Sequence, residues 1–327
     1  MTKDTTPQRP AGEPERTPEA CCQHARELAG AGQFQRALQA YAQALQIDPG
    51  HDPAWIGQGR LQVLQGDLPT GVQSLREGLQ RRLQRPSHRA APPVLQDFDR
   101  PEVTACFWRT LARLAQAGVH AFPTAGTLLG LEREGRLLPH DKDVDLALPL
   151  QEQGEAVALL SAWGWQPVRS PLGLCNPVGL WHPVAKLHMD LCALMKDEAT
   201  GQTMGGFWRR DWPREWWRIV DYPGGMNLRQ IAAPAGAVWY PMEPERILQA
   251  FYGEGWRVPD PDFDTTIAGF NMRGFSLLSQ CYALYRTYGR WEEGHLSKAL
   301  AIARHALRKQ PDDTLWAGIV AHLAEVV

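Results

Sequence analysis

The sequence predicts a mixed α/β (α+β) core, with a small mixed sheet and flanking helices, preceded by an all-α module of repeated helical hairpins. Three observations predict it. A repeat with a period of about 34 residues runs through 20–83. Short alternations of strand and helix pattern follow Gly118. Between the two lies RPSHRAAPP (85–93), a linker by composition. The predicted organisation is a disordered tail (1–19), helical repeats (20–83), a linker (84–98), the α/β domain (99–270) and C-terminal helices (271–327).

The repeat shows when Ala25, Ala37, Tyr41, Ala44 and Pro49 are stepped forward by about 34 residues. The step lands on Gly59, Gly71, Leu75, Gly78 and Leu83, and Cys21 lands on Trp55. Small residues recur where paired helices must approach closely, and large ones recur where they wedge together. The corners GAGQ (30–33) and QGD (65–67) turn one helix into the next. The pattern resembles the tetratricopeptide repeat, and that resemblance implies a surface for a peptide or partner protein. Near the C-terminus, 275–288 and 296–309 read as two amphipathic helices with Ala299, Ala303 and Ala306 on one face. They are either a degenerate repeat or the last helices of the α/β domain.

The 327 residues suffice for two ordinary domains, and 44% hydrophobic with 21% charged residues is ordinary for a globular chain. A formal net charge of -2 gives no general attraction to nucleic acid or anionic membrane. The start, MTKDTTPQRPAGEPERTPE, lacks the apolar stretch of a signal peptide. No segment approaches the roughly 20 apolar residues of a membrane span. Six scattered cysteines (Cys21, Cys22, Cys106, Cys175, Cys192 and Cys281) show neither disulfide nor zinc spacing, so reduced thiols and a cytoplasmic location are expected.

In the α/β region, a helix is predicted from about Pro101 to Ala117 with Asp99 as N-cap. A strand VHAFP, a helix from about Thr127, the strand DVDLALP, a helix over 151–162 and a strand WQPVR follow. A hairpin around NPVG then leads into the strand KLHMDLCAL. Gly126 and Thr127 sit at a strand-to-helix corner, where backbone amides and a hydroxyl can meet a phosphate. Arg133 and Arg136 follow within reach of that corner as cationic donors. Asp143 and Asp145, two apart on a strand, face the same side. Two like charges there are costly unless a cation neutralises them, and a hard divalent ion such as Mg²⁺ or Mn²⁺ suits carboxylate oxygens.

The segment Gly126-Thr127-Leu128-Leu129-Gly130, Arg133, Gly135, then Pro139-His140-Asp141-Lys142-Asp143-Val144-Asp145 resembles the signature of the LicD/fukutin family. His140 and Lys142 depart from the family's bacterial Trp-Asp-Asp-Asp form and lie closer to its fukutin branch; neither removes the acid pair. A second stretch, YPMEPE (240–245) with ILQAFYGEGWRVPDP (247–261), is similar to the family's C-terminal element.

The resemblance implies a nucleotidyltransferase-like fold and a third carboxylate on a neighbouring strand, which Asp190 supplies. It also implies transfer of a phospho-substituent, phosphocholine- or polyol-phosphate-like, from a CDP-linked donor to a glycan acceptor. In that chemistry Asp143 and Asp145 hold Mg²⁺ or Mn²⁺, and Asp190 is a further ligand or the general base. Gly126 and Thr127 contact phosphate, with Lys186, Arg133 and Arg136 as anion partners. His188 shares the face of Asp190, as a substrate contact or as an ordinary packed residue. Two rival readings use the same residues: another nucleotidyltransferase acting on a small molecule or protein, and a repeat scaffold whose transferase domain is inactive. Nine of the 13 tryptophans fall in 163–256, with Trp208, Trp212, Trp216 and Trp217 close together. They form either core packing or an aromatic cage for a quaternary ammonium or a sugar.

Overall fold

A computed structural model of the chain describes residues 17–89 and 98–327. Most of the expected tail and the 90–97 part of the expected linker lie outside the described residues. The repeats form four helices, α1 (Pro18–Gly30), α2 (Phe34–Ile47), α3 (Asp52–Leu64) and α4 (Leu68–Arg82). The small residues do what the period requires. A Cβ on Gly59 would lie 2.8 Å from Leu75 Cγ and 3.0 Å from the Gly71 carbonyl, and one on Gly71 would lie 2.4 Å from Val63. Helices α3 and α4 therefore touch through backbone. Among the described residues, 20–83 contribute no strand to a sheet.

Next comes α5 (Pro101–Gln116), whose N-cap is Arg100 rather than the expected Asp99. Pro101 occupies the first helical position, and the Asp99 carboxylate instead accepts from the Thr104 hydroxyl at 2.6 Å. Strand β1 is only Phe122–Pro123, and α6 (Ala125–Glu134) begins two residues earlier than expected. Strand β2 (Asp143–Pro149), α7 (Gln153–Ala162), β3 (Gln166–Val168), β4 (Val178–His182) and β5 (Leu187–Lys196) complete the centre of the sheet.

The expected turn at NPVG is displaced: it lies at 183–186, between β4 and β5. Asn176 is fully buried and pinned, accepting the Ala193 amide at 2.6 Å and donating to the Gly206 carbonyl at 2.6 Å. Asn176 thus ends the connection that reverses the chain between β3 and β4, and a second reversal follows β4.

The strand order is β1-β2-β5-β4-β3, with β2 and β5 parallel and their other neighbours antiparallel. Strands β6 (Thr203–Phe207) and β7 (Arg218–Asp221) extend the sheet from the far end of β5. A separate hairpin, β8 (Leu228–Ala233) with β9 (Gly236–Pro241), precedes α8 (Pro244–Tyr252) and the short α9 (Thr265–Ala268). One face of the sheet buries Val144, Leu146, Leu180, Met189 and Leu191 against α5 and α7. The other face carries Ala147 and Leu194 into a core with α6 and α8.

Three helices end the chain: α10 (Leu277–Glu292), α11 (Leu296–Lys309) and α12 (Thr314–Val326), the last not expected from the sequence. They stack on α4, and one core joins Ile56, Val72, Leu75 and Leu79 to Leu284, Trp291, Ala303 and Trp316. The α/β domain is thus an excursion between α4 and α10 of one helical stack. Polar contacts tie the seam. Arg82, 1% exposed, pairs with Glu292 at 2.5 Å, and Arg85 pairs with the buried Asp52, which also accepts from Tyr288 at 2.9 Å. The four clustered tryptophans belong to packing. Trp208 and Trp212 are buried, Trp208 stacks on Trp217 at 5.6 Å, and Trp212, Trp216 and Trp217 join the core of the helical stack. All six cysteines carry free thiols. Among the described residues, no helix is long and apolar enough to cross a membrane.

Candidate active site

Strand alternation builds the site. On β2, Val144 and Leu146 turn into the α5/α7 core, so Asp143 and Asp145 turn to the opposite face. On β5, Met189 and Leu191 make the same choice, which puts His188, Asp190 and Cys192 on that face too. The parallel register aligns Asp143 with His188, Asp145 with Asp190 and Ala147 with Cys192. Beyond β5, Gly179 stands beside Asp190 and Trp181 beside His188, with the Trp181 and His188 rings 4.4 Å apart. Asp190 is therefore on a central strand, with partners on both sides.

The corner before α6 closes on Asp145. Its carbonyl accepts the Thr124 amide at 3.1 Å, its amide donates to Thr127 Oγ1 at 2.8 Å, and the Gly126 amide lies close enough to its carboxylate to favour the charged form. Ala125, between them, is held at φ 44, a left-handed conformation that a non-glycine residue adopts at a cost. Glycine at 126 leaves room for the acids: a Cβ there would lie 2.7 Å from Asp141 Oδ2 and would displace that carboxylate. Thr127, 2% exposed, serves Asp145.

The electrostatics are those of crowded acids. Burial, then Asp143, raises Asp141 to about 6, and the same two causes raise Asp190 to about 6. Burial raises Asp143 while Lys142 and His188 pull it down. Asp145 is pushed well above the carboxylate range by burial and by Asp143, Asp190 and Asp141 together, against the opposing Gly126 amide. Four carboxylates thus share one field, and Lys142 and His188 act against it on Asp143 and Asp190. Cys192, next along the face, has its thiol pushed far up by burial and the same acids.

The basic candidates divide. Arg133 pairs with Glu134 at 3.1 Å, leaves its Nε buried without a partner, and acts on Tyr252, which also feels Asp145 and Asp141. Arg136 is half-exposed and turned to Asp99 at 3.4 Å. Lys186 is exposed in the β4–β5 turn at φ 51. Sequence reasoning passed over Asp141 and Cys192 as site members. Both were within its reach, since Asp141 continues the two-residue step of Asp143 and Asp145, and Cys192 continues that of Asp190.

Such a donor set suits a hard divalent cation, because all-oxygen, mutually repelling carboxylates gain most from one. Among the described residues, no three His, Cys, Asp or Glu side chains already converge to hold a metal ion. Mg²⁺ is commonly held by one or two carboxylates, with substrate phosphates and water filling the remaining positions.

Two family models match the chain. Residues 28–91 match the tetratricopeptide repeat, and residues 118–174 match the nucleotidyltransferase domain described as LicD/FKTN/FKRP. The chain therefore carries an N-terminal tetratricopeptide repeat and a LicD/FKTN-type nucleotidyltransferase domain, the latter containing Asp141, Asp143 and Asp145. No curated protein matches the chain.

Among solved structures, the solution structure of the antibiotic-resistance factor ANT(2'')-Ia is 15% identical, covers 64% of this chain and 95% of its own, and has a TM-score of 0.31. The lincomycin-bound lincosamide antibiotic adenylyltransferase LnuA is 10% identical, covers 50% and 92%, and has a TM-score of 0.31. ANT(2'')-Ia in complex with adenylyl-2''-tobramycin is 16% identical, covers 62% and 98%, and has a TM-score of 0.31.

Proposed function

We propose that this chain is a metal-dependent transferase that moves a phospho-substituent, of phosphocholine or polyol-phosphate type, from a CDP-activated donor to a glycan hydroxyl. The observation that carries the reading is the in-register pair Asp145 and Asp190, in which Asp145, with Asp143, Asp141 and the Gly126 corner, lies inside the segment that matches the LicD-type domain and Asp190 stands beside it on the next strand.

Asp143 and Asp145 would hold Mg²⁺ or Mn²⁺, with Asp190 as a further ligand or as the base. The cation, when bound, supplies positive charge against the donor diphosphate and the leaving nucleotide. Gly126, lacking a side chain, leaves the acids open to that diphosphate. Thr127 acts by fixing the strand position of Asp145. Arg133, close enough to Tyr252 to act on it, is the favoured diphosphate partner, whereas Arg136 and Lys186 would have to move to serve.

In the reaction, the acceptor oxygen forms a bond to the substituent's phosphorus as the bond to CMP breaks. The acceptor proton passes to a carboxylate. Asp190, titrating at about 6, is suited to take it near neutral pH. The repeats would dock a protein or peptide partner.

The description of the matched domain favours one second reading, nucleotidyl transfer onto a small molecule or a protein. Both are tested by incubating the protein and Mg²⁺ with a panel of CDP-linked donors and, separately, of nucleoside triphosphates. CMP release from a CDP-linked donor supports the proposal. Pyrophosphate release from a triphosphate, with no CMP from any donor, supports the second reading.

A further inference from the structure

On the side of the sheet away from the acids lies a cavity of about 290 Å³ between α5 and the β4–β5 hairpin. Its placement follows from alternation: Trp181 of β4 joins His188 on the acid face, so the next residue, His182, faces the α5 side. Arg109 and Arg113, one helical turn apart, line one wall; Trp163, Trp165 and His182 line the other, and Val184, 86% exposed, stands at the rim.

The chemistry of these groups points one way. Among the described residues, neither Arg109 nor Arg113 forms an ion pair or a hydrogen bond. Like charges one turn apart repel, which an arriving anion would relieve. The Arg113 guanidinium lies 4.0 Å over the Trp163 ring, which orients it while leaving its N–H edge free. His182 Nδ1 accepts the Ala185 amide at 3.1 Å, so its ring proton is on Nε2, a donor. Burial and the Arg109 charge hold His182 below its usual range, which keeps that tautomer neutral near pH 7. The lining's acid, Glu102, is paired with Arg100 at 3.3 Å. The cavity therefore offers three donors, two cations and two indole rings.

We propose that this cavity is a second binding site, taking a small sugar that carries a phosphate or carboxylate: the anion meets Arg109, Arg113 and His182, and the ring lies against Trp163 and Trp165. The volume is near the low end for small-molecule pockets, which suits a single sugar unit. The site does not depend on the transferase reading.

The test is calorimetry with intrinsic tryptophan fluorescence on the full chain, using inorganic phosphate, glucose 6-phosphate, glucuronate and glucose as probes. Glucose 6-phosphate or glucuronate should bind and perturb the fluorescence, and which of the two binds tighter identifies the anion; phosphate should bind more weakly and glucose not at all. The double variant Arg109→Gln/Arg113→Gln, altering exposed side chains, should weaken binding about tenfold or more, whereas Asp145→Asn should leave it unchanged. Absence of binding by both anionic sugars at about 10 mM would overturn the proposal. So would binding that survives the double arginine variant, or that is lost in Asp145→Asn.

Discussion

Asp145 and Asp190 stand directly opposite one another on adjacent parallel strands, and the Asp190 charge helps to push Asp145 well above the carboxylate range. The pair is held by backbone pairing rather than by loops, so neither acid can escape the other by a small shift. Asn is nearly isosteric with Asp but neutral. Asp190→Asn is therefore expected to keep the fold. Turnover should fall by orders of magnitude while donor binding stays within a fewfold if Asp190 is the base, and both should fall if it is a ligand. Steady-state rates alongside donor titrations separate the cases; an unchanged turnover would remove Asp190 from the site.

Gly126 yields a second, steric prediction. A methyl group there would meet Asp141 Oδ2 at 2.7 Å, and the carboxylate, being a side-chain end, would swing away. Gly126→Ala should fold with a near-normal melting temperature yet bind a CDP-linked donor about tenfold more weakly in Mg²⁺. Equal affinity of the two proteins would show that the corner is not used.

The acids also fix a pH dependence. Asp141 and Asp190 titrate at about 6 in the native protein, whereas unfolded aspartates titrate near 4, about 3.9. Between these values the native state binds more protons, so the cluster's contribution to stability falls as pH rises from about 4 to about 6 and stays low above that. Added Mg²⁺ should raise the melting temperature at about pH 7.5 and hardly change it at about pH 4.5. Asp143→Asn, which removes one of the repelling charges, should shrink the Mg²⁺ effect and stabilise the metal-free protein at neutral pH. Thermal melts at both pH values measure this, and a Mg²⁺ shift of equal size at both would contradict it.

The seam between α4 and α10 makes a stability prediction. Glu292→Ala leaves the buried Arg82 guanidinium without its carboxylate, although Arg82 still donates to the Arg85 and Pro86 carbonyls and packs on Trp291. Because Glu292 is 31% exposed, we expect a loss of about 2 kcal/mol, below the 3–5 typical of fully buried pairs. Arg290→Ala, which breaks the exposed pair with Glu293, should cost at most about 1 kcal/mol. Urea unfolding of the two variants checks the difference, and equal losses would show that the seam pair contributes nothing special.

The parts of the fold legible in the sequence are those set by local periodicity. The period of about 34 residues located α1 to α4 because close helix contacts admit only small residues, as Gly59 and Gly71 demonstrate. Alternation alone placed Asp143 and Asp145 on one face of β2. What was not legible depends on distant partners. Asn176 is claimed by β5 and β6, contacts that no local pattern carries. Asp99 left its expected capping role for Thr104 and Arg136. The joining of α10 to α4 across the whole α/β domain, and the burial of Trp212 in that joint core, are likewise consequences of tertiary packing.

The central claim, that Asp143 and Asp145 hold a metal–nucleotide complex, is tested most directly by calorimetric titration with CDP, the moiety shared by the proposed donors. It should be run with and without Mg²⁺ on the wild type, Asp143→Asn and Asp145→Asn. Binding to the wild type should depend on Mg²⁺ and be weakened by about two orders of magnitude in each folded variant. Mg²⁺-dependent CDP binding of wild-type strength in either variant would contradict it.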